Sequence, residues 1–162
     1  MKKILVLGCG HKRDDSLGEM TYLDINPECN PDVVWNLSSH PLPFEDEAFD
    51  SIIAVHVLEH LAYQGDAEFF FREFEEYWRI LKPGGHFTGI CPSVTSPWAW
   101  GDPGHKRIIQ AETLFFLDQN NYSTKTMMCD YRYMYKANFE LKGCENKDNN
   151  FSFTLEKKGV LG

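Results

Sequence analysis

The chain has 162 residues, 43% hydrophobic and 25% charged, values typical of one globular domain, which we expect to span residues 1–162. The formal net charge of −8 disfavours a nucleic acid as partner, because a negative surface repels phosphate backbones. No apolar run approaches the roughly 20 residues that span a bilayer, and the five cysteines are scattered without a C-x-x-C pair. These features indicate a cytoplasmic protein with reduced thiols and no membrane segment.

Strands and helices alternate along the chain, which predicts an α/β fold on a mainly parallel sheet. Apolar and β-branched runs predict four strands in the first part of the chain: Lys3–Leu7, Thr21–Ile25, Val33–Leu37 and Phe49–Val57. A crossover between parallel strands normally takes about a dozen residues or more, and Gly10 to Thr21 leaves little room for a helix. We therefore expect a shortened first crossover, a single turn or loop around Asp14 to Gly18.

The second half begins with a helix, Asp66–Leu81, in which Asp66 is the expected N-cap and apolar residues recur near one face. Pro83-Gly84-Gly85 is expected to stop it. The remaining segments predict a fifth strand, a long loop without helical period, a short helix and a closing antiparallel pair: His86–Cys91, Pro92–Arg107, Gln110–Asn120, and Tyr131–Lys142 with Phe151–Lys157.

Two features at strand ends predict a nucleotide-type cofactor site. Gly8-Cys9-Gly10 follows the first strand, where glycines let the backbone approach a ligand and their N–H groups can meet a carboxylate. Asp24 closes the second strand, where a carboxylate can accept hydrogen bonds from both ribose hydroxyls. Glycine turns after strands are common, so the G-x-G alone is a weak signal and the pairing with Asp24 strengthens it.

Four segments resemble class I methyltransferase motifs in order and spacing. "ILVLGCG" (Ile4–Gly10) resembles motif I, and "YLDI" (Tyr22–Ile25) resembles the acidic end of motif II. "PLPFEDEAFDSIIAVHVLEHL" (Pro41–Leu61) resembles the stretch leading into motif IV, and "EYWRILKPGGHF" (Glu76–Phe87) resembles the helix, turn and strand after that motif. From Lys2 to Pro92 the chain is thus similar to small class I S-adenosylmethionine (SAM) dependent methyltransferases of the type 11 group. The resemblance implies a Rossmann-like fold and SAM as cofactor.

The resemblance also implies which residues hold SAM, all near the ends of the first four strands: Gly8, Cys9, Gly10, Asp24, Ile25, Asn36, Leu37 and His56. The chain departs from the family pattern at two places. The third glycine of motif I is absent, and His11 and Lys12 occupy that region. Asn36 stands where the family commonly has an acidic residue that contacts the adenine amine, and an amide carbonyl can accept the same hydrogen bond.

Two histidines are candidate catalytic bases for an acceptor expected to be a small molecule, sugar-like or nucleotide-like. His56 ends the fourth strand beside the expected methyl donor, where it serves as base or only packs on the cofactor. His105 lies in the long loop, which we expect to cover the acceptor as a lid, and Asp102 is near enough in sequence to orient it. Alternatively, these are ordinary residues of a solvated loop. Trp98 and Trp100 either form a stacking wall or fix the loop to the core.

His56 to His60 spells H-x-x-E-H, a zinc peptidase signature. That motif requires a helix so that both histidines share one face, whereas here it directly follows a β-branched strand. We therefore expect no metal site and give Glu59 and His60 a bracing role.

Two other functions remain open. One is a SAM-binding module without transfer activity in a larger assembly. The other is a Rossmann-type dehydrogenase, against which the short first crossover and the incomplete G-x-G-x-x-G count.

Overall fold

The structure is a computed structural model that describes residues 1–124 and 127–161. Its strands are β1 (Lys3–Leu7), β2 (Glu19–Asp24), β3 (Val33–Val34), β4 (Phe49–Val55), β5 (Leu81–Pro92), β6 (Phe139–Lys147) and β7 (Asn150–Lys157). They form one sheet in the order β3-β2-β1-β4-β5-β7-β6. The first five strands pair in parallel, and β7 pairs antiparallel with both β5 and β6. The predicted α/β fold, mainly parallel with an antiparallel C-terminal pair, is confirmed.

The described helices are α1 (Ala67–Ile80), α2 (Pro97–Gly101), α3 (Ala111–Phe115) and α4 (Asn121–Thr124). Asp66 caps α1 as predicted, since its side chain accepts a hydrogen bond from the N–H of Phe69. The crossover from β1 to β2 contains only a single 3-10 turn, Asp15–Leu17, in place of a helix. Within the described part of the chain, no helix has the length and apolar character needed to cross a membrane.

Several predicted boundaries differ from the structure. β3 stops at Val34, and the chain then turns, with Asn36 Oδ1 accepting from the N–H of Ser38 at 2.9 Å. The loop after β5 contains α2, which begins at a proline and is capped by Ser96. β5 begins at Leu81 and passes through Lys82–Gly85 as a bulge opposite Phe49 and Ser51.

The closing antiparallel pair begins later in the chain than predicted. Tyr131 to Asn138 is not a strand: the N–H groups of Met134 and Tyr135 both bond to the carbonyl of Tyr131, which forms a helical turn. Tyr135 is fully buried there and its ring packs on Phe71 of α1. Aromatic packing on α1 therefore overrides the strand propensity of this segment, and the hairpin begins only at Phe139.

A buried ion pair ties the loop after β5 to α1. Arg107 Nη2 donates to both carboxylate oxygens of Glu73, at 3.0 and 2.8 Å, and the two side chains are 5% and 0% exposed. Arg107 Nε donates to the carbonyl of Leu58 at 2.8 Å. Arg107 thus connects the turn Leu58–His60 to α1. Because an unpaired charge in the core is costly, the ion pair resists being broken. Two residues of that turn, Glu59 and His60, line the candidate site.

Candidate functional site

A cavity of about 470 Å³ opens at the carboxyl ends of β1, β2 and β4, and we call it the cofactor cavity. Seven of the eight residues predicted to hold SAM line it: Gly8, Gly10, Asp24, Ile25, Asn36, Leu37 and His56. The eighth, Cys9, does not line the cavity. Its side chain is buried, and burial is the main cause that raises the pKa of its thiol.

The turn after β1 depends on its two glycines. Gly8 and Gly10 have φ angles of +60° and +54°, in the left-handed region that residues with side chains avoid. A Cβ on Gly8 would lie 2.6 Å from Cγ2 of Val57, whereas a Cβ on Gly10 would meet nothing within 4 Å. Gly8 therefore permits close packing of the turn against the residues after β4, and Gly10 leaves the cavity open.

The N–H groups of this turn are occupied by the protein itself, which differs from the sequence expectation. Gly8 and Cys9 direct theirs to the carbonyl of Leu23, at 2.8 and 3.3 Å. Gly10 donates to Asp24 Oδ2 at 2.8 Å. These bonds attach the turn to the end of β2 and leave no free N–H at these three positions for a cofactor carboxylate.

Asp24 is 9% exposed, and each of its carboxylate oxygens accepts one backbone hydrogen bond. Oδ2 accepts from Gly10 and Oδ1 accepts from Asn26 at 2.9 Å. Each oxygen keeps a second lone pair, so the carboxylate is fixed in orientation and can still accept from two hydroxyls. The Asn36 carbonyl oxygen likewise bonds Ser38 and retains one lone pair.

Six residues that the sequence did not assign to the cofactor also line the cofactor cavity: Trp35, Ser38, Val57, His60, Leu61 and Lys106. Lys106 is the single Lys or Arg among the described lining residues. Its backbone N–H donates to the carbonyl of Glu59 at 2.8 Å, which brings the end of the long loop back to the turn after β4. Because this contact joins segments that are far apart in the sequence, no local sequence pattern predicts it.

A second cavity of about 490 Å³ adjoins the first, and we call it the acceptor cavity. It shares His56 and His60 with the cofactor cavity. Its other lining residues are Glu59, Ser96, Trp98, Asp102, His105, Asp148, Asn149 and Asn150. Three of these carry carboxylates, and none of the described lining residues is Lys or Arg. The cavity therefore repels anions and favours neutral or cationic molecules.

His56 occupies the boundary between the two cavities. Its φ of +52° is uncommon for a residue with a side chain, and its N–H donates to the carbonyl of Ile90 at 2.8 Å. Its Nδ1 lies 3.2 Å from Glu59 Oε1. Because an ionised carboxylate only accepts, this contact places a proton on Nδ1, and Nε2 carries the lone pair whenever the ring is neutral. The side chain is 47% exposed, so this lone pair is accessible.

His105 is held differently from the expectation. Its Nδ1 donates to the carbonyl of Trp98 at 2.8 Å, so a backbone group and not Asp102 orients the ring. Its Nε2 lies 3.9 Å from Glu59 Oε1 and 3.8 Å from Asp102 Oδ2, beyond hydrogen-bond distance from both. The side chain is only 8% exposed. Trp98 lines the acceptor cavity, and Trp100, which is 69% exposed, does not.

The tip of the β6–β7 hairpin contributes residues that the sequence did not assign to the site. Asp148 and Asn149 have φ angles of +50° and +64°, the left-handed pair of a type I′ turn. Asp148-Asn149 is a favourable turn signal in the sequence. The first strand of the predicted antiparallel pair ends at Lys142, however, so the prediction does not place a tight turn at this dipeptide. The turn brings Asp148, Asn149 and Asn150 to the acceptor cavity.

Solved structures share this fold. A SAM-dependent methyltransferase from Archaeoglobus fulgidus has a TM-score of 0.66 at 17% identity, with 96% of this chain and 86% of that chain covered. One from Mesorhizobium loti has a TM-score of 0.64 at 14% identity, covering 96% and 91%. A putative methyltransferase, solved in complex with the Haloferax volcanii Trm112 methyltransferase activator, has a TM-score of 0.62 at 14% identity, covering 98% of this chain and 83% of that chain. No curated protein sequence matches the chain.

The sheet order and the cavity at the strand ends define a Rossmann-like protein of the class I methyltransferase type. A sequence profile described as a methyltransferase domain matches residues 7–88, half of the chain. The chain therefore belongs to this methyltransferase family. It is a SAM-dependent methyltransferase, and SAM is its cofactor.

Proposed function

We propose that the protein transfers the methyl group of SAM to a small, neutral or cationic, hydroxyl-bearing acceptor held in the acceptor cavity. The observation that carries the proposal is the boundary that the two cavities share at His56 and His60. Methyl transfer from a sulfonium is an in-line displacement, so donor and acceptor must lie next to each other. The acidic lining argues for a sugar-like acceptor over a phosphorylated nucleotide.

SAM is proposed to bind with its ribose hydroxyls on Asp24 and its adenine amine on the free lone pair of Asn36. Both acceptors are oriented by backbone hydrogen bonds. Lys106 is proposed to meet the cofactor carboxylate, because it is the one cationic side chain of the described lining that does not depend on histidine protonation. Ile25 and Leu37 supply apolar walls, and Gly8 and Gly10 keep the strand end open.

His56 is proposed as the general base. Nε2 of His56 would accept the hydroxyl proton of the acceptor as the new C–O bond forms and the C–S bond of bound SAM breaks. Glu59, which accepts from Nδ1, holds the ring in this tautomer and stabilises the imidazolium that results. His105, the second proposed catalytic residue, lines the acceptor cavity, and its ring is held by the carbonyl of Trp98. The loop that carries both His105 and Trp98 is proposed to cover the acceptor.

The test is formation of S-adenosylhomocysteine from SAM with a panel of hydroxylated small molecules and their phosphorylated counterparts. Turnover is expected with neutral or cationic members and not with phosphate esters. His56→Ala should lower the chemical rate by roughly 100-fold or more while SAM binding persists. Tight SAM binding without product from any acceptor would support the alternative of a binding module. Turnover confined to phosphate esters would contradict the proposed acceptor class.

A further inference from the structure

We propose that Glu59, His60 and His105 bind a divalent transition-metal ion in the acceptor cavity. One ligand atom from each of these residues lies within 4.8 Å of the others, and all three residues line that cavity. Two imidazoles and one carboxylate, with open positions for a further ligand, form a ligand set suited to zinc, iron or manganese.

Both imidazoles are oriented as metal ligands are. His60 Nδ1 donates to the carbonyl of Gly104 at 3.1 Å, and His105 Nδ1 donates to the carbonyl of Trp98 at 2.8 Å. A ligating histidine characteristically gives its other N–H to a carbonyl or carboxylate, which fixes the tautomer. Each neutral ring therefore keeps its lone pair on Nε2. Nε2 of His105 lies 3.9 Å from Glu59 Oε1, too far for a direct hydrogen bond and close enough for both atoms to reach one ion.

The buried carboxylate of Glu59 gives independent support for a bound cation. It is 2% exposed, and its Oε2 has no hydrogen-bond partner among the described residues. Its Oε1 accepts from the His56 ring. Arg107 forms no ion pair with it among the described residues, because Nη2 of that guanidinium pairs with Glu73 and Nη1 has no hydrogen-bond partner. The neighbouring Cys91 offers at most a weak S–H donor. A buried carboxylate requires a compensating charge, and a bound cation supplies it.

The three ligand atoms lie only slightly farther apart than they would around a bound ion. Bonds of about 2.0–2.2 Å to zinc place neighbouring ligand atoms about 3–4 Å apart, so small side-chain rotations complete the coordination. Asp102 Oδ2, 3.8 Å from His105 Nε2, is within reach of a fourth position. The role of the ion rests on the proposed function: the acceptor hydroxyl would take an open position, where the metal lowers its pKa before His56 removes the proton.

A metal ion at this cluster is contrary to the sequence expectation that no metal binds. The physical reason for that expectation holds in part, because Leu58–His60 is a 3-10 turn and His56 and His60 do not share a helix face. The ligand set is different: Glu59 and His60 are joined by His105 from the long loop, and His56 lies outside the set as a partner of Glu59.

Chelator-treated protein titrated calorimetrically with Zn²⁺, Mn²⁺ and Mg²⁺ tests the site. Wild type should bind one transition-metal ion per chain, and Glu59→Gln, His60→Ala and His105→Ala should each bind it at least tenfold more weakly. His86→Ala, which removes an exposed histidine near the beginning of β5, is the matched control and should bind normally. Co²⁺ added to wild type should give a visible absorption band, a readout that depends on no variant.

Two results overturn the proposal: no stoichiometric ion in wild type, or unchanged affinity in all three folded variants. SAM binding and S-adenosylhomocysteine formation, measured on the same samples, separate this inference from the proposed function. A bound ion without turnover on any acceptor leaves the site standing and removes the proposed function. Turnover that is identical with and without chelator leaves the proposed function standing and removes the role of the metal.

Discussion

The two glycines after β1 allow backbone strain to be separated from packing. Gly8 and Gly10 have nearly equal φ angles, so alanine at either position carries the same left-handed cost of about 1–2 kcal/mol. Stiffening of the unfolded chain offsets about 0.4–1 kcal/mol of it. Only at position 8 does the new Cβ strike packed atoms, at 2.6 and 2.8 Å from Cγ2 and Cβ of Val57. Overpacking of that kind adds about 1–3 kcal/mol.

Gly8→Ala should therefore lower the free energy of unfolding by about 1–3 kcal/mol more than Gly10→Ala does. Urea unfolding of ligand-free protein at equal m-values measures the difference. SAM affinity should fall more in Gly10→Ala than in Gly8→Ala, because the Cβ added at position 10 enters the open cofactor cavity. Gly10→Ala should weaken SAM binding at least tenfold despite its smaller effect on stability. Equal losses of stability in the two variants would refute the packing argument.

Three side chains elsewhere in the structure allow further tests. Arg107→Met should destabilise the fold by about 3–5 kcal/mol in urea unfolding, because Glu73 is left charged and buried. The double variant Arg107→Met with Glu73→Gln should recover much of that loss, and no recovery would contradict the account. Burial lowers the pKa of His40, so the unfolded state gains a proton that the folded state lacks as pH falls below about 6.5. His40→Gln should then flatten the loss of stability below that pH, and an unchanged slope would count against it. Lys106→Ala should weaken SAM binding at least tenfold while leaving the thermal midpoint nearly unchanged, and normal affinity would remove Lys106 from the cofactor site.

The strand ends that form the cofactor cavity can be predicted from the sequence because their signals are local. β1, the G-x-G turn and the acidic end of β2 are short consecutive segments, and the parallel topology brings their ends to one edge. Asp66 and the apolar face of α1 are equally local signals. Even the absence of a first crossover helix follows from counting the residues between Gly10 and β2.

The acceptor side was less predictable because it is assembled from distant segments. The cluster of Glu59, His60 and His105 depends on the long loop folding back onto the turn after β4. The H-x-x-E-H pattern points only to His56 and His60 as a ligand pair, and nothing local in the sequence adds His105 to it. The Asp148-Asn149 turn reaches the cavity only because β6 runs on past the predicted end at Lys142.

The measurement that tests the central claim most directly is calorimetric titration of SAM into wild type, Asp24→Ala and Asp50→Ala. Asp50 is the matched control, since its carboxylate pairs with Lys82 and the N–H of Lys3 at the opposite end of the strands. Wild type and Asp50→Ala should bind one SAM per chain with similar affinity, and Asp24→Ala should lose about 1–3 kcal/mol, the scale of hydrogen bonds to a charged acceptor. Equal SAM affinity in all three proteins would contradict the assignment of the cofactor to the cavity beside Gly8 and Asp24.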